Sequence, residues 1–221
     1  MNSSRIPNCT HCTVLACQHM PNEKKPPSFC PALCNSEILD DVRKVYMSDK
    51  EIQRLAVSAA QTEASGYCRD TRIEEIMAFS RRIGASHLGL ACCVGTQHEG
   101  RLAQEIFTAN GFLVSSVICK VGSIPKEDVG LTEEEKIRPG QFESLCNPVA
   151  QAMLLADAGT QLNVLVGLCV GHDSLFFLHS KAPVTVLLAK DRVTGHNPAA
   201  ALYTSHSYYH RLCEPQKSST D

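Results

Sequence analysis

The sequence has no long apolar run, no block of like charge and no apolar stretch near its beginning, and each absence closes a class of function. No run of about 18 apolar residues occurs, so no membrane-spanning helix is expected. Met1 to Asn8 offer nothing that could serve as the apolar core of a secretory signal. Twenty-one Lys and Arg against 23 Asp and Glu leave a net charge of -2. Phosphate neutralisation needs clustered cations, so nucleic acid is not an expected partner. Lys24-Lys25, the basic pair near the first cysteines, reads as a solvated loop.

What the sequence does have is cysteine: twelve in 221 residues. Hydrophobic residues make up 43%, enough for one sizeable core, or a core plus a small module, without disulfides. A cytoplasmic setting is expected, where thiols persist as free groups or metal ligands.

Residues 1–35 show no helical or strand period and are rich in Cys, His, Pro and Asn. Such a segment orders itself only if something other than apolar burial supplies the free energy. From Ser36 onward helical punctuation begins. Ile38, Leu39, Val42, Val45 and Tyr46 share one face. Ser48-Asp49-Lys50-Glu51 and Thr71-Arg72-Ile73-Glu74 read as capping boxes. Then apolar runs alternate with helices. Strands are expected at 87–94, 112–121, 162–168 and 183–189. Helices are expected at 99–110, from Asn147-Pro148 to about Gly159, at 172–180 and from Asn197-Pro198 to about Leu212. This pattern predicts an α/β domain over 36–214 with a mostly parallel sheet, preceded by the cysteine-rich segment and followed by a disordered tail, 215–221. Leu88 to Gly95 resembles Leu165 to Gly171. Each is followed by a helix and a strand that leads to Lys120 or Lys190, which suggests two βαβ halves.

Cys9, Cys12, Cys17, Cys30 and Cys34 give the spacing C-x2-C-x4-C-x12-C-x3-C. A C-x2-C pair grips one metal from a single turn, and a returning loop completes a tetrahedral site. Cys9, Cys12, Cys17 and Cys30 are the expected four. Cys34 is the spare, and His11 and His19 are possible substitutes. Thiolate donors suit zinc and a 4Fe-4S cluster alike.

A second set depends on the fold. Ligands bind beyond the carboxyl ends of parallel strands. Cys93, Cys119 and Cys169 end predicted strands, and Cys146 precedes a helix start on the same rim. A common metal or redox site is expected there, against the alternative of four separately buried thiols. If the rim is catalytic, His172 or His196 carries protons, Lys190 stabilises charge and Asp173 orients. The plainer alternative makes Asp173 a helix cap and His196-Asn197 a turn.

These residues together resemble a prokaryotic family of uncharacterised cysteine-rich proteins, domain of unknown function 1847, over nearly the whole chain. The resemblance rests on Cys9-x2-Cys12-x4-Cys17, Phe29-Cys30-Pro31, Gly89 to Cys93, Cys119-Lys120 and Cys146-Asn147-Pro148. Its most specific parts are Gly167 to Ser174 and Lys190 to Pro198. It implies metal binding, itself only predicted for that family, and no assigned reaction. Cys34 falls outside the pattern. The sequence therefore leads to a metal-binding protein with a small-molecule redox or sulfur-transfer activity at the rim. The rivals are a non-catalytic zinc-binding or metal-sensing protein that builds a surface for a partner, and an anion or nucleotide binder using the two Cys-Val-Gly helix starts.

Overall fold

A computed structural model describes residues 6–215, so the predicted tail lies outside the described residues apart from Pro215. The chain divides into two compact units, Met1–Gln61 and Thr62–Asp221.

In the first unit, tight 3-10 turns at Cys9–His11 and Ala16–Gln18 precede helices α1 (Pro31–Cys34), α2 (Ser36–Ser48) and the start of α3 (Lys50–Gly66). The cap between α2 and α3 is Asp49, not the Ser48 expected from the sequence. Its carboxylate accepts from the amides of Glu51 (2.9 Å) and Ile52 (3.0 Å). A carboxylate at that position satisfies the free amides and also meets the positive end of the helix.

In the second unit, α4 (Arg72–Arg82) opens on the expected capping box of Thr71 and Glu74. β1 (His87–Cys92), α5 (Gln97–Ala109), β2 (Leu113–Ile118), α6 (Pro148–Asp157), β3 (Leu162–Val166), α7 (His172–His179), β4 (Val184–Leu188) and α8 (Ala199–Tyr203) follow. The strands form one sheet in the order β2-β1-β3-β4, with every pairing parallel. This is the α/β fold with two βαβ halves that the alternation implied. β1 and β3 lie inside and are almost wholly buried, while β2 and β4 are edges and only half-buried.

The expected last helix stops at Tyr203 rather than near Leu212. Thr204 and Ser207 turn their hydroxyls onto the carbonyls of Ala200 (2.7 Å) and Thr204 (3.3 Å). Such local bonds compete with helix continuation.

Chain direction places the helices. β1 to β2 runs one way across the sheet and β3 to β4 the other. Right-handed crossovers therefore put α5 on one face and α7 on the opposite face with α6; α6 and α7 do pack on each other. β1 serves both faces in alternation. Ala91 and Cys93 join Ala152, Leu155, Leu165 and Phe176 in one buried cluster on the α6–α7 side. Cys92 points the other way, close enough that a Cβ on Gly100 of α5 would come within 2.7 Å of its sulfur.

The sheet interior carries one polar knot. Asn163, 1% exposed, donates to the Ser180 hydroxyl (2.9 Å) and accepts from the Thr160 hydroxyl (2.9 Å). Its β1 partner is Gly89, where a Cβ would stand 2.1 Å from the Asn163 Oδ1. Gly89→Ala is expected to destabilise the fold by about 2–5 kcal/mol, from overpacking plus a disrupted buried bond. Denaturant unfolding measures it; a loss under about 1 kcal/mol would show that the knot relaxes freely.

Candidate functional site

The strand order places a topological switch point between β1 and β3, the two central strands from which the chain departs in opposite directions. Parallel sheets open a crevice beyond the carboxyl ends at such a point. Cys93 and Cys169 flank it.

Backbone pairing continues one step past β1. The Cys93 amide donates to the Val166 carbonyl (3.2 Å) and the Cys119 amide to the Cys92 carbonyl (2.8 Å). Cys93 and Cys119 are therefore neighbours across the ladder, on the same face. Cys146 arrives from the far end of a long loop whose exit is tied to its entry: the Asn147 amide donates to the Cys119 carbonyl (2.7 Å). Asn147 then caps α6, accepting from the Ala150 amide (3.0 Å). On the other side, buried Thr96 donates its hydroxyl to the Val166 carbonyl (2.7 Å) and fastens the turn after β1 to the end of β3. Gly167 sits against it with φ +68, and a Cβ there would come within 2.5 Å of the Thr96 methyl.

The result is a row of four sulfurs. The Cys119 side chain interacts with those of Cys146 and Cys93, and Cys93 with Cys169. Cys93 (5% exposed) and Cys119 (2%) are buried, and Cys146 and Cys169 are half-buried. The row rests on the apolar cluster that includes Leu165, Leu168 and Phe176. Peptide N–H groups point at it: Val94 donates to the Cys119 sulfur (3.3 Å) and Gly95 to the Cys93 sulfur (3.4 Å). Cations border it in turn. Lys190 acts on Cys93, Lys120 on Cys146, and the Arg192 guanidinium donates to the Cys169 sulfur at 3.0 Å. The two Cys-Val-Gly repeats of the sequence occupy equivalent places, since the Cys93 and Cys169 carbonyls each accept the amide three residues on (3.0 Å in both).

Ionisation follows from these contacts. Cys93 is lowered to about 5, first by its hydrogen bond with Cys119, then by the Gly95 amide and the Lys190 charge, against burial. Cys146 is lowered to about 5, again first by Cys119, then by Lys120 and His172. Cys119 moves up, chiefly through its bonds to Cys146 and Cys93 and then through burial. Cys92, facing α5, is pushed up to about 12 by burial.

The ionised forms of Cys93 and Cys146 therefore contribute stability above the ordinary thiol value of 9.0, and it is lost as pH falls towards about 5. In metal-free protein, thiolate ultraviolet absorbance is expected to persist at neutral pH and to vanish as pH falls through about 5. In denaturant the same titration should move up to the ordinary thiol range. Titration at the ordinary value in the folded state would contradict the row.

The other expected site residues separate. His172 lies near Cys146, and its buried Nδ1 has no hydrogen-bond partner. Lys190 faces the row: a Cβ on Gly95 would stand 2.9 Å from its Nζ. Asp173 accepts from the Ser174 amide (2.8 Å) at the start of α7. His196 takes a positive φ of 66 and accepts from the Asp191 amide (3.2 Å), closing a loop. Lys120 and Arg192 were not singled out from the sequence as site residues. The Lys that ends each repeat half is the available signal for Lys120, and the place of Lys190-Asp191-Arg192 after the fourth strand, at the same rim, is the signal for Arg192; that its guanidinium reaches the Cys169 sulfur is visible only in the folded chain.

In the first unit Cys9, Cys12, Cys17 and Cys30 are all free thiols, exposed or half-exposed. Cys9 and Cys12 close one turn, with the Cys12 amide donating to the Cys9 carbonyl (3.0 Å). The Leu15 amide donates to the Cys12 sulfur at 3.4 Å. His11 bonds to Asn8 (2.7 Å), and His19 pairs with Glu23 (3.3 Å). Among the described residues, no group of three or more His, Cys, Asp or Glu side chains is arranged as a ready metal site.

The family model "Protein of unknown function (DUF1847)" matches residues 30–187. The chain belongs to this family. The matched span holds Cys30 and all four rim cysteines, with Cys9, Cys12, Cys17, Lys190 and Arg192 outside it. The chain is also 39% identical over 181 residues to an uncharacterised protein of Methanocaldococcus jannaschii, covering 82% of this chain and 91% of that one. No solved structure matches it. Among the described residues, no helix is long and apolar enough to cross a membrane.

Proposed function

We propose that this chain is a soft-metal-binding protein whose centre is held by Cys93, Cys119, Cys146 and Cys169 at the switch-point rim. The observation that carries the reading is the meeting of four thiols from four separate segments in a low-dielectric niche bordered by amides and cations. Thiolates bind zinc or a 4Fe-4S cluster only when deprotonated. The lowered Cys93 and Cys146 meet that need. Lys190, Lys120 and Arg192 offset the negative charge that four thiolates leave on a divalent centre. Peptide amides directed at sulfur tune such centres.

The donor set suits a single zinc ion and a 4Fe-4S cluster alike. Cys9, Cys12, Cys17 and Cys30 are the candidate ligands of a second, structural ion, supported by the Cys9–Cys12 turn and the Leu15 amide on sulfur. The half-buried ends of the row, Cys146 and Cys169, are where a small molecule would reach the centre, for redox or sulfur-transfer chemistry with His172, which acts on Cys146, as the proton carrier. A reducing, cytoplasmic setting accords with twelve free thiols.

Purification with oxygen excluded, followed by metal and acid-labile sulfide analysis, tests this. The expected result is metal in stoichiometric amount. Iron with sulfide would identify a cluster, and zinc without sulfide a single ion. Metal-free protein under these conditions, or metal content indifferent to the four rim cysteines, would overturn the reading.

A further inference from the structure

The two outer strands of the sheet are finished differently. At β4, Arg72 of α4 donates to the outward carbonyl of Val186 (2.5 Å) and to the Thr185 hydroxyl (3.2 Å), so a side chain occupies that edge. β2 has no such cover. In its ladder the Leu113 amide donates to the Ser86 carbonyl and the Cys119 amide to the Cys92 carbonyl. Parallel pairing turns alternate residues to the neighbouring strand. Leu113, Ser115 and Val117 therefore present their N–H and C=O groups to β1, and Val114, Ser116 and Ile118 turn theirs outward. Of these outward groups, only the Ile118 carbonyl has a partner among the described residues, the Val121 amide (3.2 Å). The strand also lacks the devices that keep an edge single. Leu113 to Ile118 hold no charge and no Pro, and the register with β1 runs without a bulge.

We propose that β2 pairs antiparallel with β2 of a second copy about a two-fold axis that is normal to the sheet and passes beside Ser116. The outward residues are evenly spaced about Ser116, so this register gives each of them a partner. Ser116 exchanges N–H···O=C bonds with Ser116 of the second copy, and Val114 does so with its Ile118. The Ile118 carbonyl has a second lone pair for the purpose.

The side chains above this edge are what select a second copy over an unrelated strand. An axis normal to the sheet keeps like faces together, so α5 comes to lie beside α5 in an isologous contact. Gln104 of α5 bonds to the Ser116 hydroxyl (2.9 Å) and so lies at the level of the axis. Arg101 and Gln104 line a cleft with Ser116 and Ile118, and Glu105 shares the outer flank of the helix with both. At about 1.5 Å of rise per residue, the order along the two helices becomes Arg101, the second copy's Glu105, Glu105, the second copy's Arg101. The two carboxylates nearest the axis are thus bracketed by two guanidiniums. The strand contact is only six residues long, so the dimer is concentration-dependent.

Sedimentation velocity or light scattering of the full chain over about 1–200 µM tests it. The wild type is expected to dimerise. Ser116→Lys sets two ammonium groups face to face on the axis and should weaken the dimer about tenfold or more. Ser116→Pro removes an N–H that no strand of the same copy uses and should do the same without added charge. Circular dichroism should be unchanged in both, since position 116 is exposed. An equal mixture of Ser116→Lys and Ser116→Asp should recover association as a heterodimer. A monomeric wild type across that range would overturn the proposal. A dimer indifferent to Lys and Pro at this position, or Lys and Asp variants that fail to combine, would overturn it equally.

Discussion

On the proposed reading of the rim as a metal centre, serine in place of Cys119 is expected to strip the metal and leave the sheet standing. Cys119 lies between Cys93 and Cys146 and interacts with both, so its loss removes one donor and alters the ionisation of two others. Weakening even an outer-shell partner of a metal costs about 10–100-fold in affinity; loss of a thiolate donor should exceed about 100-fold. The fold has reason to survive. Serine is close in shape, and the Val94 amide that now donates to sulfur can donate to the hydroxyl, which limits the cost of burying it to about 1–3 kcal/mol. Cys92 is the matched control. It is 5% exposed, as is Cys93, but points at α5 from the opposite face of β1. Cys92→Ser should cost similar stability and leave metal content untouched, whereas Cys93→Ser should lose the metal. Metal analysis with thermal melts of the three variants separates them. Equal metal loss in Cys92→Ser and Cys93→Ser would show that general destabilisation, not ligation, is being read.

That contrast marks how far the sequence could be read. The alternation of β1, α5, β2, α6, β3, α7 and β4 was legible because period and punctuation are local properties. That Cys93, Cys119 and Cys169 end their strands follows from the same pattern, and carboxyl ends share a rim in any parallel sheet. Strand order was not legible. Nothing in the sequence says that β1 pairs with β3 as well as β2, since pairing is decided by contacts far apart along the chain. The switch point, and with it the meeting of Cys93 and Cys169, became visible only in the folded chain. Arg192 on the Cys169 sulfur is of the same kind. His196 and Asp173 illustrate the reverse limit, because a polar residue after a strand reads alike whether it closes a turn or faces a site. Here the bonds of both are local.

On the proposed reading of Cys9, Cys12, Cys17 and Cys30 as ligands of a structural ion, removing metal from the intact protein is expected to open residues 9–30 to proteolysis. No residue from 6 to 30 is buried, and what order the segment has comes from short turns and a few exposed hydrogen bonds. Turns of three residues bury too little to offset the backbone entropy of fixing them, about 1–2 kcal/mol per residue. A structural metal supplies about 10–16 kcal/mol in small thiolate knuckles, enough to decide the matter. Limited digestion with and without a chelator, read by mass spectrometry, should show new cuts between Cys9 and Cys30 only when metal is withheld. Cys12→Ser should reproduce those cuts with metal present. It removes both a donor and the sulfur that receives the Leu15 amide (3.4 Å). Rim metal should survive in that variant, because its ligands come from other segments. A cutting pattern the same with and without chelator, and the same in Cys12→Ser, would mean that the four clustered thiols of this segment hold no ion. The rim would then stand as the only proposed metal centre.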